Sequence, residues 1–211
     1  MNLGVLGAGR MGSAVARAVG ETGETVAVCS ARPGSGPARG LPAACVAATL
    51  DEIWRGCHTV LLAVPFPVAM ALVTGPAGRC GDGRTLIDAT NPGLCRDRPL
   101  PPGISGGELI AEAASAWHVA KAFNTVAADG VPADGPLGVP VSLPVAGAPH
   151  AKLDAFALAR RLGFEPVDAG DIQASRELES FAVLLARISA TSGLHGGIGL
   201  STHRAVPDAV R

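Results

Sequence analysis

Six residues near the start of the chain carry the clearest chemistry. Gly7-Ala8-Gly9-Arg10-Met11-Gly12 has the spacing G-x-G-x-x-G and directly follows the short run Asn2-Leu3-Gly4-Val5-Leu6. In such a loop the first glycine permits a tight turn and the second lets the backbone approach a pyrophosphate. The third lets the next helix pack against the strand. Met11, Ala14, Val15, Ala18 and Val19 recur at helical spacing behind the loop. The helix start therefore offers unpaired N–H groups and a partial positive charge to phosphates. Strand, glycine turn and helix in this order mark Gly7, Ala8, Gly9, Arg10, Met11 and Gly12 as residues of a dinucleotide site.

The next strand speaks to which dinucleotide. Thr25-Val26-Ala27-Val28-Cys29 reads as that strand, and an NAD-type site places Asp or Glu at its end to bind the ribose 2′-hydroxyl. Here the end reads Ser30-Ala31-Arg32, without an acid. Ser30 can donate a hydrogen bond, and the planar fork of Arg32 suits a 2′-phosphate. NADP(H) is the expected cofactor; Arg39 is a weaker second candidate for the phosphate.

These residues need a scaffold, and the rest of the chain supplies its pattern. Ala44 to Ala47 reads as a short strand. Thr49-Leu50-Asp51-Glu52 is a capping box opening a short helix. Thr59 to Val64 is a continuous apolar run of the kind buried in a parallel sheet, followed from Pro65 by an apolar helix. Arg84 to Ala89 is a strand stopped by Thr90-Asn91-Pro92, and Ser105-Gly106-Gly107-Glu108 is a second capping box. Trp117 to Phe123 is a strand ending at Asn124-Thr125. Strands alternating with helices imply an α/β fold, a Rossmann-type, doubly wound and mostly parallel sheet.

The expected division is a nucleotide-binding domain over residues 1–138 and a small C-terminal α/β domain over 139–211, joined by a Pro/Gly linker from Val131 to Pro140. Within the second part Val141 to Gly147 reads as a strand, Ala151 to Leu162 as a helix and Phe164 to Val167 as a strand. Asp171 is expected to cap a final helix with a buried stripe of Leu178, Phe181, Leu185 and Ile188. Residues 193–199 read as a flexible loop.

In doubly wound sheets ligands bind beyond the carboxyl ends of the strands. That rule collects the glycine loop, Ser30 to Arg32, Ala63-Val64-Pro65, Thr90-Asn91 and Asn124-Thr125. Two of these segments contain Asn, whose amide both donates and accepts.

Composition narrows the partners. The 211 residues carry a formal charge of −1 with no basic block, so neither nucleic acid nor an anionic membrane is indicated. Apolar residues are 48% and charged residues only 17%, which a subunit interface would explain. The five cysteines are odd in number and lack C-x-x-C spacing, as buried free thiols rather than disulfides or metal ligands. The first strand begins at residue 2, which leaves no room for a signal peptide, and no run is long enough to span a bilayer. A cytoplasmic protein is expected.

Taken together, Gly7 to Gly12, Ser30-Ala31-Arg32, Ala63-Val64-Pro65, Ile87 to Pro92, Ser105 to Leu109 and Lys121-Ala122-Phe123-Asn124-Thr125 resemble the NADPH-dependent F420 reductases, the deazaflavin coenzyme:NADP oxidoreductases. Ala151-Lys152, Leu162-Gly163-Phe164, Val167 to Gly170 and Arg176 to Glu179 continue the likeness over nearly the whole chain. The resemblance implies hydride exchange between NADPH and coenzyme F420 in a cleft beside the C-terminal part, in a homodimer. It implies that Gly7 to Gly12 hold the pyrophosphate, Ser30 and Arg32 the 2′-phosphate, and Ala63, Val64 and Pro65 the nicotinamide end; Asn91 is a further cofactor-binding candidate from its place at a strand end. The chain departs at Gly147-Ala148-Pro149-His150, where the family commonly has Gly-Asp-Asp.

Reduction of a ketone or imine needs a proton donor beside the hydride. The chain has no tyrosine, which excludes Tyr-Lys catalysis of the short-chain dehydrogenase type. Lys121, His118, His195 and His203 are the titratable candidates, and Asn91, Lys121 and Asn124 the candidate catalytic residues. Strand alternation makes Lys121 face away from Asn124, toward a buried carboxylate such as Asp88. A deazaflavin delocalises charge into its own ring and asks less of the protein. Three readings stay open: F420 as acceptor, a small metabolite with a C=N, C=C or C=O bond as acceptor, or a non-catalytic NADP sensor.

Overall fold

The computed structural model describes residues 2–30, 40–94, 100–132, 140–193 and 198–202. Its centre is one eight-stranded sheet in the order β3-β2-β1-β4-β5-β6-β7-β8. The strands are β1 (Leu3–Leu6), β2 (Val26–Cys29), β3 (Cys45–Ala47), β4 (Thr59–Leu62), β5 (Thr85–Asp88), β6 (His118–Lys121), β7 (Ser142–Gly147) and β8 (Glu165–Gly170). Strands β1 to β6 are parallel, with Leu3 in register with Val26 on one side and Thr59 on the other. The crossing point lies between β1 and β4, where the strand order reverses. The fold is the Rossmann-type doubly wound sheet that the alternation of elements predicts.

Helices close both faces. On one face α1 (Arg10–Glu21) and α5 (Pro149–Arg161) pack Val15, Val19, Ala155 and Leu158 against Val5, Leu61 and Ile87. On the other, α2 (Leu50–Gly56), α3 (Phe66–Thr74) and α4 (Gly106–Ala113) pack Ile53, Trp54, Val73 and Ile110 against Leu6, Val60, Leu62 and Leu86. Successive residues of β4 thus serve opposite layers, which is why its sequence is apolar throughout. Both capping boxes are formed: the Thr49 and Ser105 hydroxyls accept from the N–H groups of Glu52 and Glu108, whose carboxylates accept in return.

Residues beyond 139 add β7 antiparallel to β6, with Lys121 opposite Ala146, and β8 parallel to β7. The chain then passes a short 3₁₀ turn (Ile172–Ala174) into α6 (Ser175–Ser192). Asp171 caps that turn, accepting from Gln173 N–H at 3.0 Å, rather than α6 itself. The stripe expected to be buried on α6 is covered only near its start. Leu178 is buried and Phe181 and Leu185 are half-buried, but Ile188 is 38% exposed. Among the described residues its later turns pack on no sheet layer. Of the tail expected to be a flexible loop, residues 194–197 lie outside the described part; further on, Ser142 N–H donates to Leu200 C=O at 2.6 Å. The linker is likewise described only at its ends.

Candidate active site

The glycine loop follows from backbone geometry. Gly7 has φ +115°, a conformation side chains rarely adopt. A Cβ there would overlap the Ala63 carbonyl and lie 2.8 Å from Val64 Cγ1. The loop and the Ala63-Val64-Pro65 segment therefore touch, tied by Ala63 N–H donating to Leu6 C=O at 2.9 Å. A Cβ on Gly12 would overlap the Gly7 carbonyl oxygen, so Gly12 is what seats α1 on the loop. Gly9 is different: a Cβ on it meets no protein atom within 4 Å. It is the N-cap of α1, where no side chain caps the helix. This open space above uncapped N–H groups fits a pyrophosphate. Ser30 follows β2 and is half-buried. Arg32 and Arg39 lie outside the described residues.

Beyond the carboxyl ends of β5 and β6 two amides lock together. Asn91 Nδ2 donates to Asn124 C=O at 2.7 Å, and Asn124 Nδ2 donates to Asn91 Oδ1 and Leu178 C=O, both at 3.1 Å. These bonds fix which way each amide points, and they leave the buried Asn124 Oδ1 without a partner. Phe123, just before, holds a left-handed backbone (φ 63°) although buried. Such a conformation costs on the order of 1–3 kcal/mol and persists where surrounding structure demands it. Here it swings Asn124 off the strand line.

That swing corrects the alternation expected for Lys121. Lys121 does find Asp88, Nζ to Oδ2 at 2.8 Å, but it also bonds Thr90 C=O and Glu179 Oε1, each at 2.7 Å. Glu179 follows Leu178, which Asn124 contacts. Both side chains therefore reach α6, because the regular strand ends at Lys121 and Phe123 breaks the two-residue period. Lys121 is fully buried and lies outside the cavity described next.

A cavity of about 290 Å³ opens over this corner. The glycine loop contributes Arg10, the strand ends Asn91, Asn124 and Thr125, and α6 the wall Ala182, Leu185, Ala186 and Ser189. Arg10 pairs with Asp129 at 2.9 Å, both largely exposed. Among the described residues no carboxylate, lysine or histidine lines the cavity. Sequence reasoning missed the α6 wall, since its small residues carry no chemical signal. Glu108 fastens the start of this wall: Arg176 donates two hydrogen bonds to it, at 2.9 and 2.5 Å. That pairing, with the Ser105 bonds, holds the Glu108 carboxyl down to about 2.

His118 sits at the opposite end of β6, its ring 5.4 Å from that of His150 and beside His58 and Asp154. It is remote from the Asn pair and cannot serve as the proton donor there. The departure at Gly147-Ala148-Pro149-His150 falls at that same far end, so the two missing acids do not border the cavity. His195 and His203 lie outside the described residues. Cys29, Cys45 and Cys57 are free and buried, and burial pushes each thiol upward from its usual range.

A glycine turn bordering a cavity beyond the carboxyl ends of the strands of a doubly wound sheet is the arrangement of a dinucleotide-binding enzyme. Residues 2–92 match the family described as NADP oxidoreductase, coenzyme F420-dependent. No curated protein matches the sequence. Among solved structures, a candidate F420-dependent NADP-reductase from Arthrobacter sp. FB24 is 25% identical, with a TM-score of 0.82 over 97% of this chain and 100% of that one. A hypothetical protein from Sinorhizobium meliloti is 28% identical, with a TM-score of 0.70 over 83% of this chain and 87% of that one. A reductive aminase from Aspergillus terreus, in complex with NADPH and ethyl levulinate, shares the fold at 17% identity. Its TM-score is 0.67, and the match covers 91% of this chain and 62% of that longer one. Among the described residues no helix is long and apolar enough to cross a membrane.

Proposed function

We propose that this NADP-dependent oxidoreductase exchanges a hydride with a deazaflavin coenzyme of the F420 type, in the cavity between the Asn91–Asn124 pair and α6. The observation that carries the reading is the shared lining: Arg10 of the glycine loop and the α6 wall border one space. NADPH supplies the hydride when bound. Gly7 to Gly12 hold its pyrophosphate, Ser30 and Arg32 its 2′-phosphate, and Ala63, Val64 and Pro65 its nicotinamide end. The apolar wall excludes water and orients the acceptor, and positioning of this kind can supply much of a rate enhancement. With no carboxylate, lysine or histidine in the described lining, an acceptor that accommodates charge in its own ring is favoured.

A compact metabolite with a C=N, C=C or C=O bond is the second reading. The volume favours it, since about 290 Å³ lies at the lower edge of the 300–1,000 Å³ typical of ligand pockets. Steady-state assays separate the two. NADPH oxidation by purified deazaflavin, well above an enzyme-free blank, is expected; no excess over the blank, with turnover of an imine or enone instead, transfers the activity to the second reading. NADPH binding without turnover of any acceptor leaves a sensor.

Arg32→Ala is expected to weaken NADPH binding by about 1.5–3 kcal/mol while NADH binding barely moves, as for loss of one charged hydrogen bond. We also infer a homodimer, supported by the exposed apolar side chains of Leu94, which lines the cavity, and of Leu184 and Ile188 on α6. Sedimentation equilibrium tests it, and a monomer at micromolar concentration refutes it.

A further inference from the structure

We propose that Glu179 is a positioning residue: its buried bonds to Lys121 and α4 set where the acceptor wall stands over the cavity. This rests on the cavity being the site of hydride transfer. Lys121 Nζ bonds three oxygens within 2.8 Å, from Asp88, Thr90 and Glu179. Glu179 in turn accepts the N–H groups of Gly106 and Gly107, each at 3.0 Å, where α4 begins. One carboxylate thus joins β6, α4 and α6, and Lys121 joins the same group to the residue before Asn91.

The geometry points from this junction to the wall. Ala182, Ala186 and Ser189 follow Glu179 by three, seven and ten residues, which places them on one helical face with it. All three line the cavity. An apolar contact tolerates sliding, whereas this set of directional bonds fixes both depth and rotation. A buried ion pair adds little net stability over an apolar substitute, so its directional geometry is the more telling property.

The far half of α6 depends on that base. Past Ala182 its residues are exposed or only half-buried. About 15 Å of helix separates Glu179 from Ser189, so a tilt of about 5° at the base shifts Ser189 by about 1.3 Å. A misplacement of about 1 Å can cost on the order of 100-fold in rate.

The test is Glu179→Gln, which keeps the shape and one carbonyl oxygen but removes the charge; Lys121 retains Asp88. Four readouts are needed: kcat and acceptor KM with deazaflavin, the primary isotope effect with 4-deuterated NADPH, the NADPH dissociation constant, and amide hydrogen exchange along α6. The expected result is a 10- to 100-fold loss of kcat/KM for the acceptor, a larger primary isotope effect with 4-deuterated NADPH, and NADPH affinity within twofold of the parent. Exchange should quicken over residues 182–192 and not in the sheet. A merely structural role predicts instead a parallel loss of NADPH binding and folded protein, with KM and isotope effect unmoved; that result, or kcat/KM within twofold, overturns the proposal. If the parent protein turns over no acceptor, the cavity reading fails by itself. The exchange data then still decide whether Glu179 holds α6, and unchanged exchange refutes it.

Discussion

Replacing Gly9 by valine separates binding from folding more cleanly than any other change in the glycine loop. The backbone at Gly9 (φ −81°, ψ −167°) is extended and open to any residue, and a Cβ there meets no protein atom within 4 Å. The folded chain therefore has room for the side chain; its cost is the poorer N-cap of α1, about 1 kcal/mol. For a chain of this size that is roughly 2–4 °C in Tm. The ligand has no such room. Excluding a pyrophosphate from two charge-assisted hydrogen bonds at about 1.5–3 kcal/mol each removes at least a hundredfold in affinity. Thermal unfolding with and without NADPH reads both effects at once. At a hundredfold excess over Kd the parent gains about 2.7 kcal/mol, or roughly 5–11 °C. Gly9→Val should melt within a few degrees of the parent without ligand and show no rise with it. A preserved rise would place the nucleotide elsewhere; a collapse of the ligand-free Tm would refute the reading of Gly9 as open.

Gly12→Ala should behave oppositely, lowering Tm and α-helical circular dichroism without ligand, because its Cβ would overlap the Gly7 carbonyl. Lys121→Met strands two buried carboxylates, and breaking a buried pair costs about 3–5 kcal/mol; denaturant midpoints should fall accordingly, and an unchanged midpoint would show the network to be slack. Glu108 has a folded-state value near 2, below its unfolded value near 4.5, so its stabilising contribution is complete above about pH 4.5 and is lost as pH falls toward 2. Arg176→Ala removes the main cause, and its stability should decline less steeply through that window than the parent's; identical slopes would refute the assignment. Cys29, Cys45 and Cys57, buried and raised, should resist iodoacetamide at neutral pH until the chain is unfolded, as peptide mapping would reveal.

Much of the fold could be read from local rules. Thr49 with Glu52 and Ser105 with Glu108 signal helix starts because a capping box is a contact within four residues. The β4 run is apolar throughout because each side chain meets a different layer. The glycine loop is legible because its constraints are steric and belong to neighbouring residues. The acceptor wall is not legible in this way. Ala182, Ala186 and Ser189 acquire their proposed role from the path of α6 away from the sheet, which depends on contacts between Glu179 and residues about 60 to 75 positions earlier. Strand alternation misled at Lys121 because one residue, Phe123, adopts a backbone that its type gives no hint of. Asn91 and Asn124 were legible as strand-end amides, but their mutual locking was not.

On the proposed role of Glu179, the exposed half of α6 is a cantilever. Its clamp lies among Lys121, Glu179 and Glu108, while the residues assigned to NADPH all come from the first 92 positions. A substitution at the clamp, or at Arg176, can re-aim the free end without disturbing the glycine loop. Acceptor preference can therefore drift in descendants of such a chain while its coenzyme stays the same.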